Sequence, residues 1–131
     1  MQPTILIVED HAVVRKLLCD WLSEMLPDCK LVEAQSGEEA VALIGTQPLP
    51  LVLMDFGLPG MNGIEATRRI KAIAPGTSVV MLSIHDEQAY QTSAIAAGAS
   101  AFVSKCTMQT ELVPVIQTLL LRREIGSQVA G

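Results

Sequence analysis

Four short apolar runs in this chain each lead to a polar side chain of a different chemical kind. Thr4-Ile5-Leu6-Ile7-Val8 is followed by the acids Glu9 and Asp10, and Leu51-Val52-Leu53-Met54 by Asp55. Ser78-Val79-Val80-Met81-Leu82 leads to the hydroxyl of Ser83, and Ala101-Phe102-Val103-Ser104 to the amine of Lys105. In an open parallel sheet, ligands sit in the crevice outside the carboxyl ends of the strands. Strands built from these runs would gather three acids, a hydroxyl and an amine at one edge. Such a set can hold a divalent cation against a phosphoryl group, leaving one carboxylate to act as nucleophile.

The elements that must position these groups follow from periodicity. Apolar runs of strand length alternate with segments of helical period, which points to βαβ units and a parallel α/β sheet. The predicted strands are Thr4–Val8, Leu31–Ala34, Leu51–Met54, Ser78–Ser83 and Ala101–Ser104. The first, third and fourth are almost wholly apolar, as strands covered on both faces should be, and the more polar second suits an edge. Val14, Leu17, Leu18, Leu22 and Met25 recur at helical spacing, and Pro27 ends that helix. Ser36 with Glu39, and Asn62 with Glu65, read as capping boxes opening two more helices. Asp86 is the predicted cap of a helix running to Gly98, a C′ glycine. The last helix carries Leu112, Val115, Ile116, Leu119 and Leu120 on one stripe, and Pro114 implies that it starts late.

The 131 residues suit one domain with a real core, assigned to residues 1–125, and the small polar residues 126–131 read as a flexible tail or the start of a linker. Half the residues are apolar, yet no run reaches the roughly 18 that a membrane span needs. No secretory signal opens the chain, so a soluble cytoplasmic protein is expected. Cys19, Cys29 and Cys106 are odd in number and widely spaced, which fits free thiols rather than a zinc or redox motif. A net charge of −5 speaks against nucleic-acid binding by this chain itself, and the basic groups Arg68-Arg69-Lys71 and Arg122-Arg123 read as solvated helix faces. Aromatics make up 3% of the residues, which leaves little to stack on a base or a flavin.

The segments Val8-Glu9-Asp10-His11, Met54-Asp55-Phe56-Gly57-Leu58-Pro59-Gly60-Met61-Asn62-Gly63, Met81-Leu82-Ser83 and Phe102-Val103-Ser104-Lys105 resemble the receiver domain of bacterial two-component response regulators. The resemblance runs from Thr4 to about Arg123, and its weight lies in all four segments occurring in this order. It implies a doubly wound (βα)5 fold of flavodoxin-like topology, a five-stranded parallel sheet in the order 2-1-3-4-5. It also implies roles. Asp55 would accept a phosphoryl group from a histidine kinase or a histidine phosphotransfer protein. Glu9, Asp10, Asp55 and the Gly57 carbonyl would bind Mg²⁺ (or Mn²⁺), Glu9 through water. Lys105 and Ser83 would hold the phosphoryl oxygens, and Ser83 with Phe102 would form the switch, read out on the face of the fourth helix, fifth strand and fifth helix. A homodimer is compatible with this scheme.

Two departures from the family pattern stand out. Cys106 follows the lysine where the family commonly has a cis proline, which leaves the Lys105–Cys106 peptide geometry open. Glu9-Asp10 replaces a pair of aspartates, a change that keeps two carboxylates. His11 and the Met61-Asn62-Gly63 segment read as helix-start and loop geometry rather than chemistry. A haloacid-dehalogenase-type phosphatase would need an acid two residues after its nucleophile, where this chain has Gly57. A flavin carrier would need aromatics flanking a hydroxyl-rich loop, and Trp21 lies within a predicted helix. For output, the resemblance favours the receiver part of a DNA-binding transcriptional regulator, with a stand-alone receiver acting by protein contact or phosphorelay as the alternative.

Overall fold

The computed structural model describes residues 2–130, with side-chain environments for residues 2–123. Five strands alternate with five helices: β1 Thr4–Val8, α1 Ala12–Met25, β2 Lys30–Ala34, α2 Gly37–Ile44, β3 Leu51–Asp55, α3 Gly63–Ile73, β4 Ser78–Ser83, α4 Gln88–Ala96, β5 Ala101–Ser104 and α5 Met108–Ala130. The strands form one parallel sheet in the order β2-β1-β3-β4-β5. This is the doubly wound α/β topology that the resemblance implies.

The alternation of side chains along a strand decides which helices lie on which face. Leu6, Val8, Val52, Met54, Val79 and Met81 point to one side, against residues of α2, α3 and α4. Ile5, Ile7, Leu51, Leu53, Val80, Leu82 and Val103 point to the other, against Leu18, Leu22, Leu112, Val113 and Ile116 of α1 and α5. With both faces covered, the central strands have no need of polar positions. The exposed Lys30 and Glu33 fall on β2, at the sheet edge.

Local devices largely match the sequence. The Ser36 hydroxyl accepts from the Glu39 N–H at 3.0 Å, and Asn62 Oδ1 accepts from the Glu65 N–H at 3.0 Å. Gly98 has φ +108° and ends α4 in a Schellman arrangement, with its N–H bonded to the Ile95 carbonyl and that of Ala99 to the Ala94 carbonyl. Gly63 opens α3 so close to β3 that a Cβ there would lie 2.5 Å from the Asp55 carbonyl oxygen. Among the described residues no helix is long and apolar enough to cross a membrane.

Several expectations need correction. The N-cap of α4 is Glu87, with no side-chain capping bond, and not Asp86. Pro114 lies inside α5, which starts at Met108 rather than late. Leu112, Val113 and Ile116 are buried on either side of the proline, and that burial holds the helix through the missing hydrogen bond, while Pro114 itself is exposed. The backbone of α5 also continues through 126–130, where composition suggested a tail or linker, and Gly131 lies outside the described residues. On α1, only Leu18 and Leu22 of the apolar series are buried. Val14, Leu17 and Met25 face outward, and Val13 joins them.

Candidate functional site

Register sets the site. Val8 pairs with Met54, Asp55 with Leu82, and Ser83 with Ser104, so the chain leaves β1, β3, β4 and β5 at one edge of the sheet. The turn after β1 presents Glu9 and Asp10 beside the end of β3, which carries Asp55. One carboxylate oxygen from each of Glu9, Asp10 and Asp55 lies within 4.8 Å of the others. Lys105 Nζ sits 2.9 Å from Asp55 Oδ1 and 3.6 Å from Glu9 Oε2. Residues from positions 9 to 105 thus meet in one cluster.

Burial gives the cluster its electrostatics. Glu9 and Asp55 are buried, whereas Asp10 faces solvent. Desolvation pushes the Glu9 carboxyl up to about 7, with a hydrogen bond to Asp55 and the Asp55 charge adding to the shift and Lys105 opposing it. For Lys105, burial disfavours the ammonium, but the hydrogen bond and charge of Asp55, with those of Glu9, outweigh it and raise the amine above the ordinary lysine range. One ammonium therefore faces more acid than it can neutralise. The site's ligand atoms are hard oxygens with more negative charge than Lys105 offsets, and one acid is open to solvent.

The remaining predicted residues stand around this cluster. Ser83 is buried, and its hydroxyl accepts from the His85 N–H at 2.9 Å, so it is held in its own turn. The Ser83 carbonyl accepts from the Lys105 N–H at 2.8 Å and fixes the root of the lysine. Gly57 lies two residues past Asp55 in an open turn, with no atom within 4 Å of where a Cβ would project. Phe102 is half-buried against the α2–α4 side of the core. The Lys105–Cys106 peptide is trans, since there are no cis bonds among the described residues. His11 is the exposed N-cap residue of α1 and makes no capping bond with its side chain. Cys19, Cys29 and Cys106 are all free thiols.

Sequence reasoning missed two features beside the site. The first is an aromatic array: Phe56 meets Tyr90 edge-on at 5.1 Å and Phe102 at 6.5 Å, and His85 stacks on Tyr90 at 5.1 Å. Three of the four aromatic residues gather there, so the low aromatic content conceals a local concentration. The second is Arg15 on α1, whose Nη1 donates to the Glu9 carbonyl at 2.8 Å and whose Nε donates to Glu33 at 3.0 Å. The signal for both was weak, because each depends on which helix lies over which strand.

Residues 5–117 match the family model of the response regulator receiver domain. The chain is 37% identical over 116 residues to the transcriptional activator protein ExaE of Pseudomonas putida, covering 88% of this chain and 54% of that protein. It is 33% identical over 127 residues to the response regulator UvrY of Escherichia coli K12, covering 96% of this chain and 58% of that one. The chain thus spans a little over half the length of these curated relatives. Among solved structures, a LuxR-family two-component response regulator from Aurantimonas sp. SI85-9A1 superposes with a TM-score of 0.87 at 34% identity, covering 94% of this chain and 88% of that one. A match along nearly its whole length, shared with relatives above 30% identity, makes this chain a member of the response regulator receiver domain family.

Proposed function

We propose that this receiver is a phosphorylation switch of a two-component system, with Asp55 as the phosphoacceptor. The observation that carries the reading is the single cluster in which Lys105 lies 2.9 Å from Asp55 while Glu9 and Asp10 crowd the same carboxylate. Glu9, Asp10 and Asp55, with the Gly57 carbonyl, would hold Mg²⁺ or Mn²⁺, and the donor set suits a hard cation that keeps some of its water. When bound, the cation supplies positive charge against the phosphoryl oxygens.

An Asp55 carboxylate oxygen attacks the phosphorus of a phosphohistidine on the kinase or phosphotransfer protein. The P–O bond forms as the P–N bond breaks, and the released imidazole takes a proton from solvent. Lys105 neutralises one phosphoryl oxygen, and the Ser83 hydroxyl exchanges its bond with the His85 N–H for another. Water later cleaves the acyl phosphate, returning Asp55 and inorganic phosphate, so the only chemistry this domain catalyses is its own. The acyl phosphate carries about two negative charges where the carboxylate carried one, and adds three strong acceptor oxygens. The moved hydroxyl and the packing of Phe102 pass this change to the face of α4, β5 and α5 as a population shift.

The donor approaches over α1, where Val13 and Leu17 are 62% and 64% exposed next to the turn carrying Glu9 and Asp10. The protein acts in the cytoplasm, and the receiver controls a DNA-binding effector region. The name of one curated relative, a transcriptional activator, supports that output. The complete reading frame of the gene separates it from a stand-alone receiver.

The test is incubation with Mg²⁺ and phosphoramidate followed by intact mass measurement. One added phosphoryl group is expected, absent in Asp55→Ala and in the presence of chelator. A serine-linked adduct, or none in the wild type, would overturn the assignment.

A further inference from the structure

Glu9 is gripped on both sides of its backbone. Its N–H donates to the Ala34 carbonyl of β2 at 3.1 Å, and its carbonyl accepts from Arg15 at 2.8 Å. Arg15 is in turn tied to β2 through Glu33 at 3.0 Å, and its side chain is only 18% exposed. The carbonyl that Arg15 holds belongs to the peptide joining Glu9 to Asp10. That one peptide plane sets the origin of both side chains.

We propose that Arg15, anchored by Glu33, is a positioning residue for the cation site: it clamps the Glu9–Asp10 peptide so that two carboxylates stay aimed at Asp55. The proposal rests on the reading of that cluster as a Mg²⁺ site. The need for a clamp follows from the charges. Three carboxylates within 4.8 Å repel one another, and the turn after β1 would relieve that repulsion by moving outward. A hydrogen bond donated by a guanidinium is about twice as strong as a neutral one, and the fork of Arg15 spans two elements at once. A lysine could reach these acceptors only from a single nitrogen, without the fixed planar geometry of the guanidinium.

Two effects oppose each other when Arg15 is removed. Loss of a nearby positive charge favours the cation, whereas loss of the clamp disfavours it. The Arg15 charge is already paired with Glu33, so its field at the site is small and the geometric effect wins. Groups that orient metal ligands from outside typically account for 10–100-fold in affinity, and a clamp on the backbone belongs at the lower end, at about tenfold.

The test is Mg²⁺ titration by isothermal calorimetry of wild type, Arg15→Ala, Arg15→Lys and Glu33→Gln, with phosphoramidate labelling of each across a Mg²⁺ series. Arg15→Ala is expected to bind Mg²⁺ about tenfold more weakly, and to reach a near-normal labelling rate at saturating Mg²⁺. Arg15→Lys and Glu33→Gln should fall between it and wild type. A purely structural role would lower the melting temperature without moving the Mg²⁺ midpoint. Unchanged or tighter binding in Arg15→Ala overturns the proposal. If that variant does not fold, an unchanged midpoint in Glu33→Gln overturns it instead. Failure of the wild type to bind Mg²⁺ overturns the underlying site reading as well.

Discussion

Replacing Glu9 by glutamine removes a charge that the fold holds at a cost. The wild-type carboxyl is raised from an ordinary 4.5 to about 7, first by burial and then by its hydrogen bond to Asp55 and the Asp55 charge. At about 1.36 kcal/mol per pH unit, that displacement amounts to about 3 kcal/mol. The sign follows from proton counting. Between pH 4.5 and 7 the folded chain holds a proton on Glu9 that the unfolded chain has released, so this group makes stability fall as pH rises through that window. Below it, Glu9 is protonated in both states, and glutamine, similar in shape and also a donor to Asp55, should match it. Above it, Glu9→Gln should be more stable than wild type by about 3 kcal/mol, or roughly 10 °C in Tm for a chain of this length. Urea unfolding without metal at pH 4.5, 6 and 8 would trace the gap as it opens. Saturating Mg²⁺ should narrow it at pH 8, because the cation neutralises Glu9 in the wild type and not glutamine. A gap of constant size across the three pH values, or a variant less stable at pH 8, would refute the reasoning.

Leu17→Glu, at a position 64% exposed on α1, should leave phosphoramidate labelling unchanged and slow transfer from a phosphorylated kinase, measured by radiolabel transfer; equal transfer rates would remove α1 from the donor surface. Gly63→Ala places a methyl 2.5 Å from the Asp55 carbonyl oxygen and 3.1 Å from Met81 Sδ, and is expected to cost about 1–3 kcal/mol in urea unfolding; an unchanged midpoint would show that α3 can retreat freely. Cys19 is pushed up to about 11, chiefly by burial and then by Glu33, and Cys29 is raised by burial and Asp28, while Cys106 is exposed. A disulfide reagent at pH 8 should therefore modify one thiol quickly, with the fast phase lost in Cys106→Ser, and Cys19 should lag an ordinary thiol by about tenfold, since its scarcer thiolate is also more nucleophilic.

The strands were legible because each is a short apolar run closed by a polar residue, and all five fall within one residue of their predicted bounds. The site was legible for the same reason, since those closing residues are its functional groups. Helix faces were less so. On α1, Val14, Leu17 and Met25 carry the same apolar period as Leu18 and Leu22, and nothing in the period says which side of a wide stripe meets the sheet. Pro114 misled because a local penalty of about 3 kcal/mol is visible in sequence, whereas the burial of Leu112 and Ile116 that offsets it is not. Arg15 and the Phe56–Tyr90–His85 array depend on contacts between elements far apart along the chain, and residue type alone does not mark them.

The anchoring of Lys105 has a consequence for how the protein is made. Its backbone N–H is bonded to Ser83, and its ammonium reaches an acid at the end of β3 and another after β1. A ribosome releases the acids first and the amine last, so a growing chain carries an incomplete acidic nest until β5 has emerged and docked at the sheet edge. Such contacts between distant positions form late, after the loops between them have closed. An unfinished or damaged copy would hence lack the ammonium beside Asp55, and only a molecule that has completed the sheet holds the whole cluster.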